Sequence, residues 1–368
     1  MKIGVPKEIK ADENRVALTP AGARSLVEAG HQVNIEHHAG LGSGFANGDY
    51  ESAGALIVST EAAWDAELVL KVKEPVAREY DFLRQQLLFT YFHLAGVDPK
   101  LTETLLTRGT TAIAYETVED DSGKLPLLAP MSAVAGSMAV TVGNYYLAKF
   151  NGGRGMLLAE LFDQRFGKVL IVGDGVVGQH SAKVAARLGA EVYVAGNRPD
   201  NTQSLARALD MDLHFIQSNE ANIAQHLGDA DLVIGGVLVR GGRAPHVISE
   251  AMVKTMQPGS VIVDVSIDQG GCVETARPTT HSDPVYVHHD VIHYCVANMP
   301  GAYPRLSTMA LTGATLPYVI KLAAEGEDAL RRDVGLSKGL NTYRGHITCQ
   351  PVATSLAMED RFQPLQSL

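Results

Sequence analysis

Ten residues near the middle of the chain constrain its fold more than any others: Val169-Leu170-Ile171-Val172-Gly173-Asp174-Gly175-Val176-Val177-Gly178. The apolar run predicts a buried strand over Lys168 to Val172, and the stretch that follows predicts an amphipathic helix over Val176 to Leu188. An isolated GxGxxG is an ordinary tight turn. Between a strand and a helix, its glycines serve three purposes: a sharp turn, close approach of a pyrophosphate to the backbone, and close packing of helix on strand. The helix N-terminus adds positive potential for the phosphates. Gly173, Gly175 and Gly178, with Val176 and Val177 in the first helical turn, are therefore candidate contacts of a dinucleotide.

The type of dinucleotide is less plainly written. An NAD site usually carries an Asp or Glu at the end of the second strand, about twenty residues on, to accept from the ribose 2′-hydroxyl. This chain reads Tyr193-Val194-Ala195-Gly196-Asn197-Arg198, with glycine where that acid belongs. Asn197 can bond a hydroxyl, and Arg198 can pair with a 2′-phosphate, so NADP stands beside NAD as an expectation. The plainer alternative leaves Arg198 in solvent and NAD held by other contacts. Asp174, inside the glycine loop, argues against added phosphate charge.

A length of 368 residues suits two or three domains. The first third alternates strand candidates (Lys2 to Val5, Gln32 to Glu36, Leu56 to Ser59, Leu68 to Lys73, Leu87 to His93, Thr111 to Tyr115) with helices, which implies a largely parallel sheet. One helix is well punctuated, opening at Thr19-Pro20 and closing at Gly30; another is expected over Lys100 to Thr107. A second α/β unit is expected to hold a helix over Ser132 to Phe150 and the glycine motif. Its further strands are expected at Glu191 to Val194, Leu232 to Gly235, Val261 to Val265 and His293 to Ala297. From about Leu316 the pattern turns helical, and these last helices are expected to pack back on the first domain. The fold class is thus α/β with two domains. A Rossmann dinucleotide-binding domain spans 128–304, and a discontinuous substrate domain with a mostly parallel sheet is assembled from 1–127 and 305–368.

Composition narrows the partners. Lys and Arg total 31 against 41 Asp and Glu, a net charge of -10 with no basic block, which argues against nucleic acid. Cys272, Cys295 and Cys349 are odd in number, lack CxxC spacing and fall in strand-like sequence, as buried, reduced thiols of a cytoplasmic protein would. No apolar leader opens the chain and no stretch is long enough to span a bilayer, so neither export nor a membrane partner is expected.

In open parallel sheets the ligand crevice lies outside the carboxyl ends of the strands. That rule selects Lys73, His93, Asp268 and Asn298 at strand ends, and Arg15 in the loop before Thr19; the five are expected to converge on one cleft between the two units. Each has a bland alternative. His93 can be a core histidine, Lys73 can pair with Glu74 or Asp65, and Asp268 can be a turn residue before Gly270-Gly271. His281, His288, His289 and His293 lack a tetrahedral ligand spacing and read as surface and core histidines, so no metal is expected.

Several strings carry a family resemblance. Gly4-Val5-Pro6-Lys7-Glu8 and Asn14-Arg15-Val16-Ala17-Leu18-Thr19-Pro20 resemble the signature shared by alanine dehydrogenases and the NAD-binding part of proton-translocating transhydrogenases. Lys71-Val72-Lys73-Glu74-Pro75, Phe92-His93-Leu94-Ala95, Ala129-Pro130-Met131-Ser132, Asp268-Gln269-Gly270-Gly271-Cys272 and Ala297-Asn298-Met299-Pro300 resemble the alanine dehydrogenase branch. The resemblance runs from Met1 to about Ala324. It implies an NAD-dependent, cytoplasmic, often hexameric enzyme that interconverts L-alanine with pyruvate and ammonium. Arg15 and Lys73 would bind the substrate carboxylate, His93 would hydrogen-bond the carbonyl or imine oxygen, and Asp268 would act as acid and base. Ser132, Ser218, Asn298 and Met299 would contact the cofactor beside the three glycines. Three places depart from the pattern: Gly196, Ala133 and the run Leu157 to Phe162. Other expectations stay open: a dehydrogenase of another small L-amino acid or an opine-type substrate, a transhydrogenase-like NAD-binding subunit, or a silent nucleotide-sensing module.

Overall fold

The computed structural model describes residues 1–239 and 243–368. The chain divides into two compact units, one of Met1–Met131 with Gly301–Leu368, the other of Ser132–Pro300.

The first unit is built on β1 (Lys2–Val5), β2 (Gln32–Glu36), β3 (Leu56–Val58), β4 (Leu68–Leu70), β5 (Leu87–Thr90) and β6 (Thr111–Ala114). They lie side by side in the order β3-β2-β1-β4-β5-β6, all parallel. Every residue of β4, β5 and β6 is buried, the mark of strands covered on both faces. The strand order reverses between β1 and β4, the place where an open sheet of this kind offers a crevice. Thr19 caps the helix Pro20–Glu28 through its hydroxyl, which accepts from Gly22 N–H.

Two expected strands stop short. β4 ends at Leu70 and β5 at Thr90, so Lys73 and His93 lie past the ladder rather than in it. The reason is competition from carboxylates. Glu8 accepts the Val72 N–H at 2.6 Å, and Glu116 accepts the N–H groups of Phe92 and His93, taking backbone donors that strand neighbours would otherwise bind.

The chain's end returns to this unit with strands as well as helices, which the sequence pattern did not announce. β16 (Leu340–Tyr343) pairs antiparallel with β6, and β17 (His346–Ile347) with β16. Arg344 and Gly345 turn that hairpin with positive φ at both positions. The long helix begins at Pro304, not at about Leu316, and runs to Glu325 with Pro317 in its interior.

Among the described residues, the second unit's main sheet has the order β11-β10-β9-β12-β13-β15-β14. Its strands are β9 (Lys168–Val172), β10 (Glu191–Gly196), β11 (His214–Gln217), β12 (Leu232–Gly235), β13 (Val261–Asp264), β14 (Val285–His288) and β15 (Val291–Tyr294). All pairs are parallel except β14 with β15. β15 is displaced from the expected His293–Ala297, because β14 supplies a hairpin whose turn, His289-Asp290, has positive φ at both residues. A small separate hairpin joins β7 (Ala159–Leu161) to β8 (Gln164–Phe166). Cys272 and Cys295 are buried, Cys349 is only half-buried, and all three are free thiols. Among the described residues, no helix is long and apolar enough to cross a membrane.

Candidate functional site

In the first unit the polar groups gather where the strand order reverses. Lys71 is fully buried, and its ammonium lies 3.0 Å from Glu8 and 2.9 Å from Glu79. Burial opposes that charge, but the two carboxylates hold the Lys71 pKa above its ordinary value. Lys73, two residues on, is also buried, and its ammonium has no hydrogen-bonding or ion-pair partner among the described residues. Neither bland partner is available to it: Glu74 pairs with Lys10 at 2.5 Å, and Asp65 with Lys2 and Arg84 at 2.9 and 2.7 Å.

Arg15 is 2% exposed and already paired. Its Nε donates to Glu13 Oε1 at 2.7 Å and its Nη2 to Glu13 Oε2 at 2.5 Å, while Nη1 donates to Met131 Sδ at 3.1 Å. The bidentate carboxylate fixes the plane of the guanidinium. Burial works against the cation, and Glu13 overcomes it, leaving the Arg15 pKa raised.

His93 adopts the left-handed region, with φ 47°, a conformation that costs a non-glycine residue about 1 kcal/mol or more and recurs at functional sites. Glu116 holds it there, accepting the His93 N–H at 2.6 Å. The imidazole stacks on Tyr91, ring centroids 5.8 Å apart, and keeps about a third of its surface exposed. It is not a core histidine. Glu13 and Glu116 both escaped the sequence reading, although Glu116 follows β6 by two residues and so met the same strand-end rule.

In the second unit the glycine loop follows β9, whose neighbours β10 and β12 mark another reversal of strand order. Gly173 has φ 119°, and a Cβ there would lie 2.4 Å from the Gly236 carbonyl oxygen. A Cβ on Gly178 would lie 1.9 Å from the Gly173 carbonyl oxygen, so helix and strand pack too closely for any side chain. Around Gly175 nothing lies within 4 Å of a Cβ position, and the helix Val176–Leu188 starts there with no side-chain cap on its amides. That open approach onto bare helical N–H groups fits a pyrophosphate.

Three of the remaining cofactor candidates follow strands of the same sheet. Asn197 and Arg198 follow β10, and Asn197 Oδ1 accepts from Gln217 Nε2 at 3.0 Å. Ser218 follows β11 and donates its N–H to the Gly196 carbonyl at 2.9 Å. Ser132 is half-buried in the first turn of the helix Ala129–Tyr146. Met299 is 2% exposed and packed into the core, so its side chain offers little surface to a ligand.

Asp268 is exposed in a 3-10 turn after β13, and its Oδ1 accepts the Asn298 N–H at 3.1 Å. Asn298 makes that bond from a left-handed conformation, φ 61°. The turn is organised by Asp264, fully buried, which accepts from the N–H groups of Ser266, Cys272 and Val273 at 3.0, 2.8 and 3.1 Å. Burial raises the Asp264 pKa against these hydrogen bonds. Among the four histidines, His293 lies in the core, while His288 and His289 gather with Glu250. Glu250 Oε1 is already engaged by His289 at 2.7 Å and Lys254 at 3.0 Å.

This chain matches the models of the alanine dehydrogenase/PNT N-terminal domain over 4–135 and C-terminal domain over 139–350. The chain belongs to the alanine dehydrogenase/PNT family. It is 50% identical over 363 residues to the alanine dehydrogenase of Staphylococcus epidermidis, covering 98% of each sequence. A solved L-alanine dehydrogenase superposes with a TM-score of 0.91 at 49% identity, covering 97% of this chain and 99% of the other. A transhydrogenase from Sinorhizobium meliloti superposes at 0.80 with 25% identity, covering 95% and 99%. Two of the five selected residues sit beside carboxylates that position them, Arg15 beside Glu13 and His93 beside Glu116.

Proposed function

We propose that the chain is an L-alanine dehydrogenase, which reversibly oxidises L-alanine to pyruvate and ammonium and passes hydride to a nicotinamide dinucleotide. The single observation that carries this reading is Lys73: a buried ammonium without a partner among the described residues follows the strand end where a carboxylate-bearing ligand is expected, on a scaffold 50% identical to named alanine dehydrogenases. NAD is the cofactor proposed. The enzyme is proposed to be cytoplasmic and homo-oligomeric.

Lys73 and Arg15 bind the substrate carboxylate, each charged hydrogen bond contributing about 1.5 to 3 kcal/mol net. Glu13 keeps the Arg15 fork in one orientation, and that clamp directs the substrate's Cα hydrogen. When bound, the nicotinamide accepts that hydrogen as hydride. Water then adds to the carbon of the resulting imine: Asp268 takes the water's proton and returns it to the nitrogen, which leaves as ammonia when the C–N bond breaks, while His93, held by Glu116, donates to the oxygen developing on that carbon. Asn298 orients Asp268 through its N–H.

A panel of L-amino acids assayed with both dinucleotides tests the proposal. L-Alanine should give the largest kcat/KM by reduced-nicotinamide absorbance, and absence of alanine-dependent reduction with either dinucleotide removes it.

A further inference from the structure

The missing acid at the end of β10 is replaced from another part of the chain. A Cβ on Gly196 would lie 2.5 Å from Asp174 Cβ and 2.7 Å from its Oδ2, so the glycine is required by the aspartate in the glycine loop. Asp174 is 7% exposed. Its Oδ2 accepts the N–H groups of Asn197 at 3.1 Å and Arg198 at 2.6 Å, and its Oδ1 accepts from Arg198 Nη2 at 2.8 Å. Burial opposes this carboxylate's charge, but the hydrogen bonds from Arg198 more than compensate, and its pKa stays below the ordinary value.

Two consequences follow. A strand-end acid of the usual kind presents one uncompensated negative charge and free lone pairs to the ribose; here the charge is matched by Arg198, and three hydrogen bonds already occupy the carboxylate. The Arg198 side chain is 65% exposed, and its guanidinium uses one of its five N–H donors on Asp174. The repulsion that excludes a 2′-phosphate is absent, and a partly committed cation stands in its place.

We propose that Asp174 sets cofactor choice in this chain, by restraining Arg198 so that the site accepts NADP as well as NAD. This rests on the dehydrogenase reading above for its cofactor, though not for its substrate.

Calorimetric titration of the full chain with NAD and with NADP, in the absence of L-alanine, tests it. The two dissociation constants of the wild type should lie within about tenfold of each other, since an exposed, paired arginine changes binding by only about 1 kcal/mol. Arg198→Ala should shift the ratio against NADP by about fivefold, and Asp174→Asn, which frees the guanidinium, should shift it toward NADP by a similar factor. The double variant should lose the gain of Asp174→Asn, and thermal melts confirm that each variant is folded. A wild-type preference for NAD of about a thousandfold, or a ratio unmoved by both single variants, overturns the proposal. Dinucleotide binding without alanine turnover would defeat the dehydrogenase assignment and leave this one standing.

Discussion

A buried ammonium without a partner is among the costlier things a fold can hold, several kcal/mol before any ligand arrives. Lys73 is such a group, while Lys71, two residues earlier, is neutralised by Glu8 and Glu79. The contrast separates a structural lysine from one that awaits an anion, and sequence spacing alone could not make it. Lys73→Met keeps the stem and removes the charge. It should lower kcat/KM for L-alanine by about a hundredfold or more, the loss of one buried charged contact, while leaving thermal stability equal or higher, because an uncompensated charge is gone. Near-wild-type kcat/KM would remove the clamp. Asp268→Asn should reduce kcat by about 10² to 10⁴, the usual contribution of a general base, with the dissociation constant for NAD little changed in a direct binding titration. Lys73, His93 and Asp268 were singled out because each follows an apolar strand. Glu116 was not, because the Phe92 and His93 N–H groups it binds belong to a different strand end, and Glu13 was not, because only the folded loop turns it back on Arg15. Asp174 was noted for its charge, but its pairing with Arg198 needed the fold.

At the scale of elements, buried parallel strands such as β4, β5 and β9 were legible from continuous apolar runs. Their ends were not, since the ladder stops where Glu8 and Glu116 capture the next N–H groups. Strands β14, β16 and β17 escaped because each has at most four residues, without the longer apolar run that marks the parallel strands, and two-residue turns join them into hairpins. The β14–β15 hairpin makes a pH prediction. His293 is fully buried on β15, its Nδ1 facing the Val291 carbonyl at 3.0 Å and its Nε2 facing Thr275 Oγ1 at 2.8 Å. Burial is the main cause that lowers its pKa, to about 4; the Val291 carbonyl works in the other direction. The unfolded chain, with an ordinary imidazole, therefore binds a proton between about pH 6.5 and 4 that the folded chain refuses. This contribution is fully present above pH 6.5 and falls away on acidification through that window, by on the order of 3 kcal/mol. Urea midpoints measured from pH 7 to 4.5 should decline, and His293→Gln should flatten the decline. An equal slope in both proteins would place the acid sensitivity elsewhere.

At the scale of the whole molecule, the β7–β8 hairpin does not suit a chain that works alone. Leu157, Leu161 and Phe166 are exposed along it, and Phe162 at its tip is 99% exposed. Phe162 also sits at φ 52° and Asp163 at φ 61°, a turn that asparagine or glycine would close with less strain. An aromatic side chain held in solvent on strained backbone gains nothing for the isolated unit, and a contiguous apolar patch of this kind marks a protein contact. The run Leu157 to Phe162, one of the three places where the sequence departs from the pattern it resembles, includes the tip of this hairpin, and the two facts have one explanation if a second copy of the chain covers it. Sedimentation should then show a particle several times the mass of one chain. The double substitution Leu161→Glu, Phe162→Glu should reduce that mass at micromolar concentration while each chain keeps its fold by circular dichroism, because both side chains lie outside the cores. An unchanged particle would move the contact to another face, and a monomeric wild type would end the oligomer proposal.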